Sequence, residues 1–327
     1  MKLPLIFDCD TGIDDALALM YGAHHGANFV ACTVTHGNVP VEVGSRNTVT
    51  VLDFLGKQEV PVFSGAARPL AQPLRTAEAV HGEDGLGDAK ITPSARALSG
   101  DQAAAVIVRL ARENPGKLSL VAVGPLTNIA IALLLEPQLP ALIKNVVIMG
   151  GAVGVPGNAS AVAEANIWHD PEAAQVVIDA AWDVLFVGLE ITLQTALTAQ
   201  AVRQIEKSTD PRAQFAANIM DFYLESYEKS FGYRTCVLHD PLALALALEP
   251  QLAEYRLVQA KVELRGSISR GQIVSDQRMF LPTPTNPKAP GVIRIVQNVD
   301  IAGFHTRFLS ALGVPEEQEN AQAPTSP

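Results

Sequence analysis

Short apolar runs alternate with helical repeats along the 327 residues, and polar residues gather where the apolar runs end. These observations predict an α/β fold: a single large domain with a mostly parallel, Rossmann-like central sheet flanked by helices. The first strand is expected at Leu3 to Phe7, a run too short and too apolar for a surface helix. A helical pattern follows from Asp14 to His25, then a strand from Phe29 to Thr35 and a helix from Val43 to Leu55. Val60 to Phe63 reads as a third strand. After a polar, Gly-containing stretch come a helix at Gln102 to Glu113, a strand at Leu118 to Val123 and a helix at Asn128 to Leu135. Val146 to Met149 and Val184 to Val187 read as strands around a helix at Pro171 to Ala180. Asp170 before Pro171 fits an N-cap followed by a first-turn proline.

From Thr198 to Tyr227 the pattern is helical and more polar, and "HDPLALALALEP" gives one more apolar helix opened by Asp240 and Pro241. Residues 255 to 300 are strand-rich around a proline-laden connection, "FLPTPTNPKAP". The chain shows no internal repeat and no linker. One domain over residues 1–312 and a polar, disordered tail over 313–327 are expected.

Composition narrows the function. Apolar residues make up 48%, enough for a large core, and the net charge is −10 with no Lys/Arg-rich block. That balance argues against a nucleic-acid surface. No apolar run reaches the roughly 18 to 20 residues of a membrane span, and the N-terminus does not read as a signal peptide. Cys9, Cys32 and Cys236 are odd in number, far apart and without CxxC spacing. Reduced thiols and a cytoplasmic location are the expectation.

The chemistry concentrates at the strand ends. Asp8 and Asp10 follow the first strand, "THGN" the second, "GPLTN" the fourth, "GGA" the fifth and "GLEIT" the sixth. In an open α/β sheet the ligand crevice lies outside the carboxyl ends of the strands, so residues distant in sequence converge there. Asp8, Asp10, Asp14 and Asp15 put four carboxylates within eight positions. Burial and mutual repulsion disfavour such a cluster unless a cation sits in it, and a hard divalent ion suits all-oxygen donors.

Three metal-related patterns compete. A haloacid-dehalogenase-type phosphatase needs DxDx(T/V); Asp8 and Asp10 fit, but Gly12 stands at the fifth position. An EF-hand loop fits Asp8, Asp10, Gly12 and Asp14, but Leu19 occupies the twelfth position, where a bidentate Glu is needed. The third pattern, "DCDTGIDDALAL", resembles the N-terminal DxDxGxDDA signature of the nucleoside hydrolase family, inosine–uridine preferring branch. The resemblance continues in order through Gly37-Asn38, "HGEDGLG" from His81, "GPLTN", "IMGGA" at Met149, Asn158, "EANIWHDPEAA" from Glu164 and "LHDPLAL" around His239-Asp240.

The resemblance implies hydrolysis of the N-glycosidic bond of ribonucleosides to ribose and free base, with one calcium ion per chain. By position, Asp10, Asp15, Asp240 and the backbone carbonyl of Thr127 would hold the ion, and Asp10 would be the general base. Asp14, Asn38, Asn158, Glu164 and Asn166 would contact the ribose, and Met149 would pack against it. His239 matches the histidine that protonates the departing base. His81 lies in a Gly-rich loop expected to close over the base as a lid. A homodimer or homotetramer is implied as well. Alternatives are the phosphatase, with Asp8 as nucleophile, and a non-catalytic nucleoside- or ribose-binding protein. The latter would need neither a base at Asp10 nor an acid at His239. Simpler readings stand beside some of these: Asp170 as a helix cap, His24 and His25 as helix-end residues, Glu164 and Asn166 as turn residues. Tyr223, Tyr227, Phe231 and Tyr233 are left open between core packing and stacking on a base.

Overall fold

The computed structural model describes residues 2–276, 278 and 282–314. Most of the expected tail, residues 315–327, lies outside them. The strands are β1 (Pro4–Cys9), β2 (Asn28–Val34), β3 (Val62–Ser64), β4 (Leu118–Ala122), β5 (Ile143–Met149), β6 (Val184–Val187), β7 (Ala253–Val262), β8 (Ile273–Ser275) and β9 (Val292–Val299). Among the described residues they form one sheet in the order β3-β2-β1-β4-β5-β6-β9-β7-β8. β3 through β9 in that order pair in parallel; β7 runs antiparallel to β9, and β8 antiparallel to β7. The strand-rich C-terminal stretch thus supplies one further parallel strand and an antiparallel edge.

Both faces of the sheet are covered, which explains why the strands read as continuous apolar runs. Leu5, Phe7 and Cys9 enter one apolar layer while Ile6 enters the other, the period-2 alternation of a strand buried on both sides. Cutting a fully buried ring such as Phe7 back to alanine would cost about 3–5 kcal/mol.

The helices fall close to the expected spans: Ile13–His24, Val41–Phe54, Ala103–Glu113, Thr127–Leu135, Pro171–Asp179 and His239–Leu248. The polar helical stretch after Thr198 is two helices, Ala199–Lys207 and Pro211–Phe231. Pro211 forces the break, since it cannot continue the preceding ladder, and Asp210 restarts the helix by accepting the Arg212 amide at 2.8 Å.

From β1 the chain steps to β2 and β3 on one side. From β4 it steps to β5 and β6 on the other. The reversal lies between β1 and β4, so the crevice opens at the carboxyl ends of these two strands.

Candidate active site

β1 runs two residues further than its apolar pattern, through Asp8 and Cys9. Alternation then separates the carboxylates. Asp8 Oδ2 accepts from Thr33 Oγ1 at 2.6 Å and Asn128 Nδ2 at 2.9 Å, and Asp8 is not among the residues lining the crevice. Burial pushes its pKa up to about 7. The phosphatase alternative, which needs Asp8 as nucleophile, does not hold: Asp8 Oδ2 is taken by Thr33 on β2 and by the Asn128 amide. Sequence reasoning passed over Asn128, which also donates to the Val34 carbonyl at 3.1 Å and accepts the Ala66 amide at 2.9 Å.

Past β1 the chain turns sharply. Asp15, in the first turn of the Ile13–His24 helix, reaches back to accept the amides of Asp10 at 3.1 Å and Gly12 at 2.9 Å, and Asn38 Nδ2 at 3.1 Å. Asp10 Oδ2 accepts the Asn38 amide at 2.7 Å. Asp10 Oδ1 and Asp14 Oδ1 are buried without a hydrogen-bond partner. Asp14, Asp15 and Asp240 each bring a carboxylate oxygen within 4.8 Å of the others. Burial first, then repulsion from Asp15, holds Asp10 and Asp14 well above the usual carboxylate range; burial and the repulsion of Asp14 do the same for Asp240. Orphaned oxygens, all-oxygen donors and strained ionisation fit a hard cation, so this acidic cluster could hold a metal ion.

Above the cluster lies a cavity of about 610 Å³. Asp14, Asn38, His81, Met149, Asn158, Glu164, Asn166, His239 and Asp240 all line it, so nine residues singled out from the sequence converge there. Asp10 and Asp15 are fully buried beside it. Thr127 sits at a helix start with its side chain turned away from the cavity, donating to Asp170 Oδ2 at 2.7 Å and meeting His36 Nε2 at 3.0 Å. Asp170 also accepts the Ala173 amide at 3.1 Å, so it is a cap with a second task.

One wall is built by Glu164 and Asn166. Glu164 caps the Ala165–His169 helix by accepting the amides of Asn166 and Ile167, and it takes the Gly151 amide at 2.9 Å. Burial lifts its pKa to about 7. Asn166 Nδ2 donates to the Val123 carbonyl at 2.7 Å and the Met149 carbonyl at 3.2 Å, tying the ends of β4 and β5 together. These are more than turn residues. Asn158, exposed at the rim, accepts the Ala165 amide at 2.9 Å.

The other wall is aromatic. Tyr223 lies against the His81 ring at 5.5 Å between centroids, and its hydroxyl meets that of Tyr227 at 3.3 Å. The Tyr227 hydroxyl reaches His239 Nε2 at 2.8 Å. Tyr233 is exposed and does not line the cavity, and the Phe231 side chain lies outside the described residues. His81 Nδ1 accepts the Ile13 amide at 3.2 Å, so the ring is neutral with its proton on Nε2. Burial drives it down to about 3, so its 4.0 Å approach to Asp14 is not an ion pair. The Gly-rich loop after it is anchored: Asn47 Nδ2 donates to Asp84 O, Asp84 Oδ1 accepts the amides of Leu86 and Asp88, and Leu86 is buried. Sequence reasoning missed Trp168, His169 and Leu193, which also line the cavity. Trp168 and His169 lie within the quoted motif that starts at Glu164, and Leu193 directly follows Thr192, but none was given a role there.

Residues 5–306 match the family described as inosine-uridine preferring nucleoside hydrolase. The chain is 36% identical to the inosine-uridine preferring nucleoside hydrolase of Leishmania major, over 90% of this chain and 94% of that one. It is 34% identical to the pyrimidine-specific ribonucleoside hydrolase RihA of Citrobacter koseri, over 93% and 96%. Among solved structures, a plant nucleoside hydrolase superposes with a TM-score of 0.90 at 30% identity, covering 96% of this chain and all of that one. A purine-preferring ribonucleoside hydrolase from Gardnerella vaginalis gives 0.87 at 33% identity, covering 94% and 98%. With its crevice at the β1–β4 reversal and the acidic cluster beneath it, the chain belongs to the inosine-uridine preferring nucleoside hydrolase family, and its activity is ribonucleoside hydrolysis.

Proposed function

We propose that this hydrolysis depends on one calcium ion held by Asp10, Asp15, Asp240 and the Thr127 carbonyl, and that residues 1–312 form the catalytic domain. The observation that carries the reading is the buried Asp10 Oδ1, without a partner beside two further carboxylates that repel it. The ion would hold the sugar hydroxyls and lower the pKa of the attacking water. Asp10 takes the proton of that water as general base. Asp14, Asn38, Asn158, Glu164 and Asn166 fix the ribose, and Met149 packs against its face. The transition state is oxocarbenium-like, as in other glycoside cleavage.

His239 delivers a proton to the departing base. Burial pushes its ring down to about 4. Negative charge growing on the base works in the opposite direction and favours the protonated ring as the bond breaks. Tyr223 and His81 offer flat faces for the base. A homodimer or homotetramer and a cytoplasmic location complete the proposal; three free buried cysteines support the latter. Among the described residues no helix is long and apolar enough to cross a membrane. The test is release of free base and reducing sugar from inosine, uridine, cytidine and adenosine, with chelator and after calcium is restored. Full activity in chelator would overturn the calcium assignment.

A further inference from the structure

The imidazole of His239 is held at both nitrogens. Nε2 meets the Tyr227 hydroxyl in the cavity at 2.8 Å; Nδ1 meets Thr192 Oγ1, on the opposite side, at 2.8 Å. Thr192 is fully buried at the end of a short helix, Leu189–Thr192, and Nδ1 is the one hydrogen-bond partner of its hydroxyl among the described residues. The surrounding backbone fixes that position. The Thr192 carbonyl accepts Thr195 Oγ1 at 2.7 Å, and Thr195 Oγ1 in turn accepts the Leu238 amide at 3.1 Å. The Leu197 amide donates to the Cys236 carbonyl, and Thr235 Oγ1 donates to the Leu197 carbonyl, both at 2.9 Å. Residues 192–197 are thus laced alongside residues 235–239, so the hydroxyl is presented to the ring by a rigid segment.

We propose that Thr192 is a positioning residue for the reaction: its hydroxyl bonds Nδ1 and thereby fixes the His239 ring with Nε2, the nitrogen that gives up a proton, facing the cavity. The argument is one of satisfaction. A buried ring nitrogen needs a partner in either protonation state, and a hydroxyl serves both: it donates to a bare Nδ1 and accepts from a protonated one. A neutral ring whose Nδ1 accepts the hydroxyl carries its proton on Nε2; the acid form is the imidazolium, which returns to neutral imidazole when Nε2 gives its proton to the base. Without the hydroxyl, Nδ1 is left buried and bare, and the ring is free to turn over or to move its proton away from the departing base. Such supporting partners commonly matter by about 10- to 100-fold.

The inference rests on His239 acting as the acid, and the experiment separates the two. Thr192→Val, Thr192→Ser and His239→Ala are compared in the calcium-loaded full chain on inosine and on p-nitrophenyl riboside, whose phenolate leaves without a proton. Thr192→Val is expected to lower kcat on inosine about 10- to 100-fold with KM little changed, and to keep most activity on the phenyl riboside. Thr192→Ser, which keeps the hydroxyl, restores most of the inosine rate. In a His239→Ala background, Thr192→Val adds no further loss. Nitrogen-15 NMR of the histidine rings should show His239 protonated at Nε2 in the parent and in Thr192→Ser, with that signature lost in Thr192→Val. An equal fall on both substrates in Thr192→Val, while His239→Ala still spares the phenyl riboside, overturns the role of Thr192 alone. An equal fall in His239→Ala overturns the acid reading and this inference with it.

Discussion

The amide of Asn38 donates to Asp10 Oδ2 at 2.7 Å and so decides which oxygen of that carboxylate is left without a partner. Glycines crowd both oxygens: a Cβ at Gly37 would come within 2.0 Å of Oδ2, and one at Gly124 within 2.8 Å of Oδ1. No side chain fits between the backbone and this group. Asp10→Asn should therefore lower kcat by about 10² to 10⁴ on inosine and on p-nitrophenyl riboside alike, because the lost function serves the water and not the leaving group. Steady-state rates with metal content checked decide it; a variant that spared the phenyl riboside would count against the base role.

Two residues earlier, Asp8 gives the contrasting prediction. It is buried, carries a raised pKa and contacts Thr33 and Asn128. Asp8→Asn preserves the shape and an acceptor oxygen, so activity should stay within about tenfold of the parent, the usual scale of a supporting residue. A complete loss in a folded, metal-loaded Asp8→Asn protein would return Asp8 to the chemistry.

Acidity should stabilise the metal-free protein. Glu164 titrates near 7 when folded and near 4.5 otherwise, so the folded state binds the extra proton between those values. Stability is then highest below about 4.5 and is lost as pH rises through 7. Asp10, Asp14 and Asp240 shift in the same direction. Melting temperature in chelator should fall as pH is raised from 5 to 8, and Glu164→Gln should flatten part of that slope. A melting temperature that climbs over this range would contradict the raised carboxylates.

Calcium should counter that slope. A ligand at about 1,000 times its Kd adds about 4 kcal/mol to the folded state. Thermal melts at pH 8 should rise with added calcium and not with sodium. An unchanged melt, with calorimetry showing no heat of binding, would remove the ion from the account.

Deoxyribonucleosides should be nearly ignored. The proposed partners of the 2′-hydroxyl are the ion and Asp14, and a site built to pair a hydroxyl commonly rejects the analogue lacking it by about 10⁴-fold. Comparable kcat/KM for uridine and deoxyuridine is the result that would defeat this placement.

Most of the fold was legible because both faces of the sheet are buried. Strands such as Leu118–Ala122 appear as unbroken apolar runs, and the loops after them carry the polar residues of the cavity. What escaped has identifiable causes. Asp8 looks like a site residue because charge at a strand end is rare, yet its strand continues past it and alternation turns its side chain toward Thr33. The contact between Thr192 and His239 joins residues far apart in the chain, which no local pattern records. The split at Pro211 was visible in the sequence, but the helical repeat on both sides hid it.

The reversal between β1 and β4 also dictates when the cluster can come into being. Asp10 and Asp15 are made with the first strand and helix of the sheet, and Asp240 only after six strands have been made. During synthesis the early carboxylates repel one another with nothing to gather them, and the polypeptide already holds most of its sheet before the third appears. A cation held as proposed would thus bind a chain that already has six of its nine described strands. It would act as a late fastener that draws the His239–Leu248 helix onto the first strand–helix unit, and not as a seed around which the chain collapses.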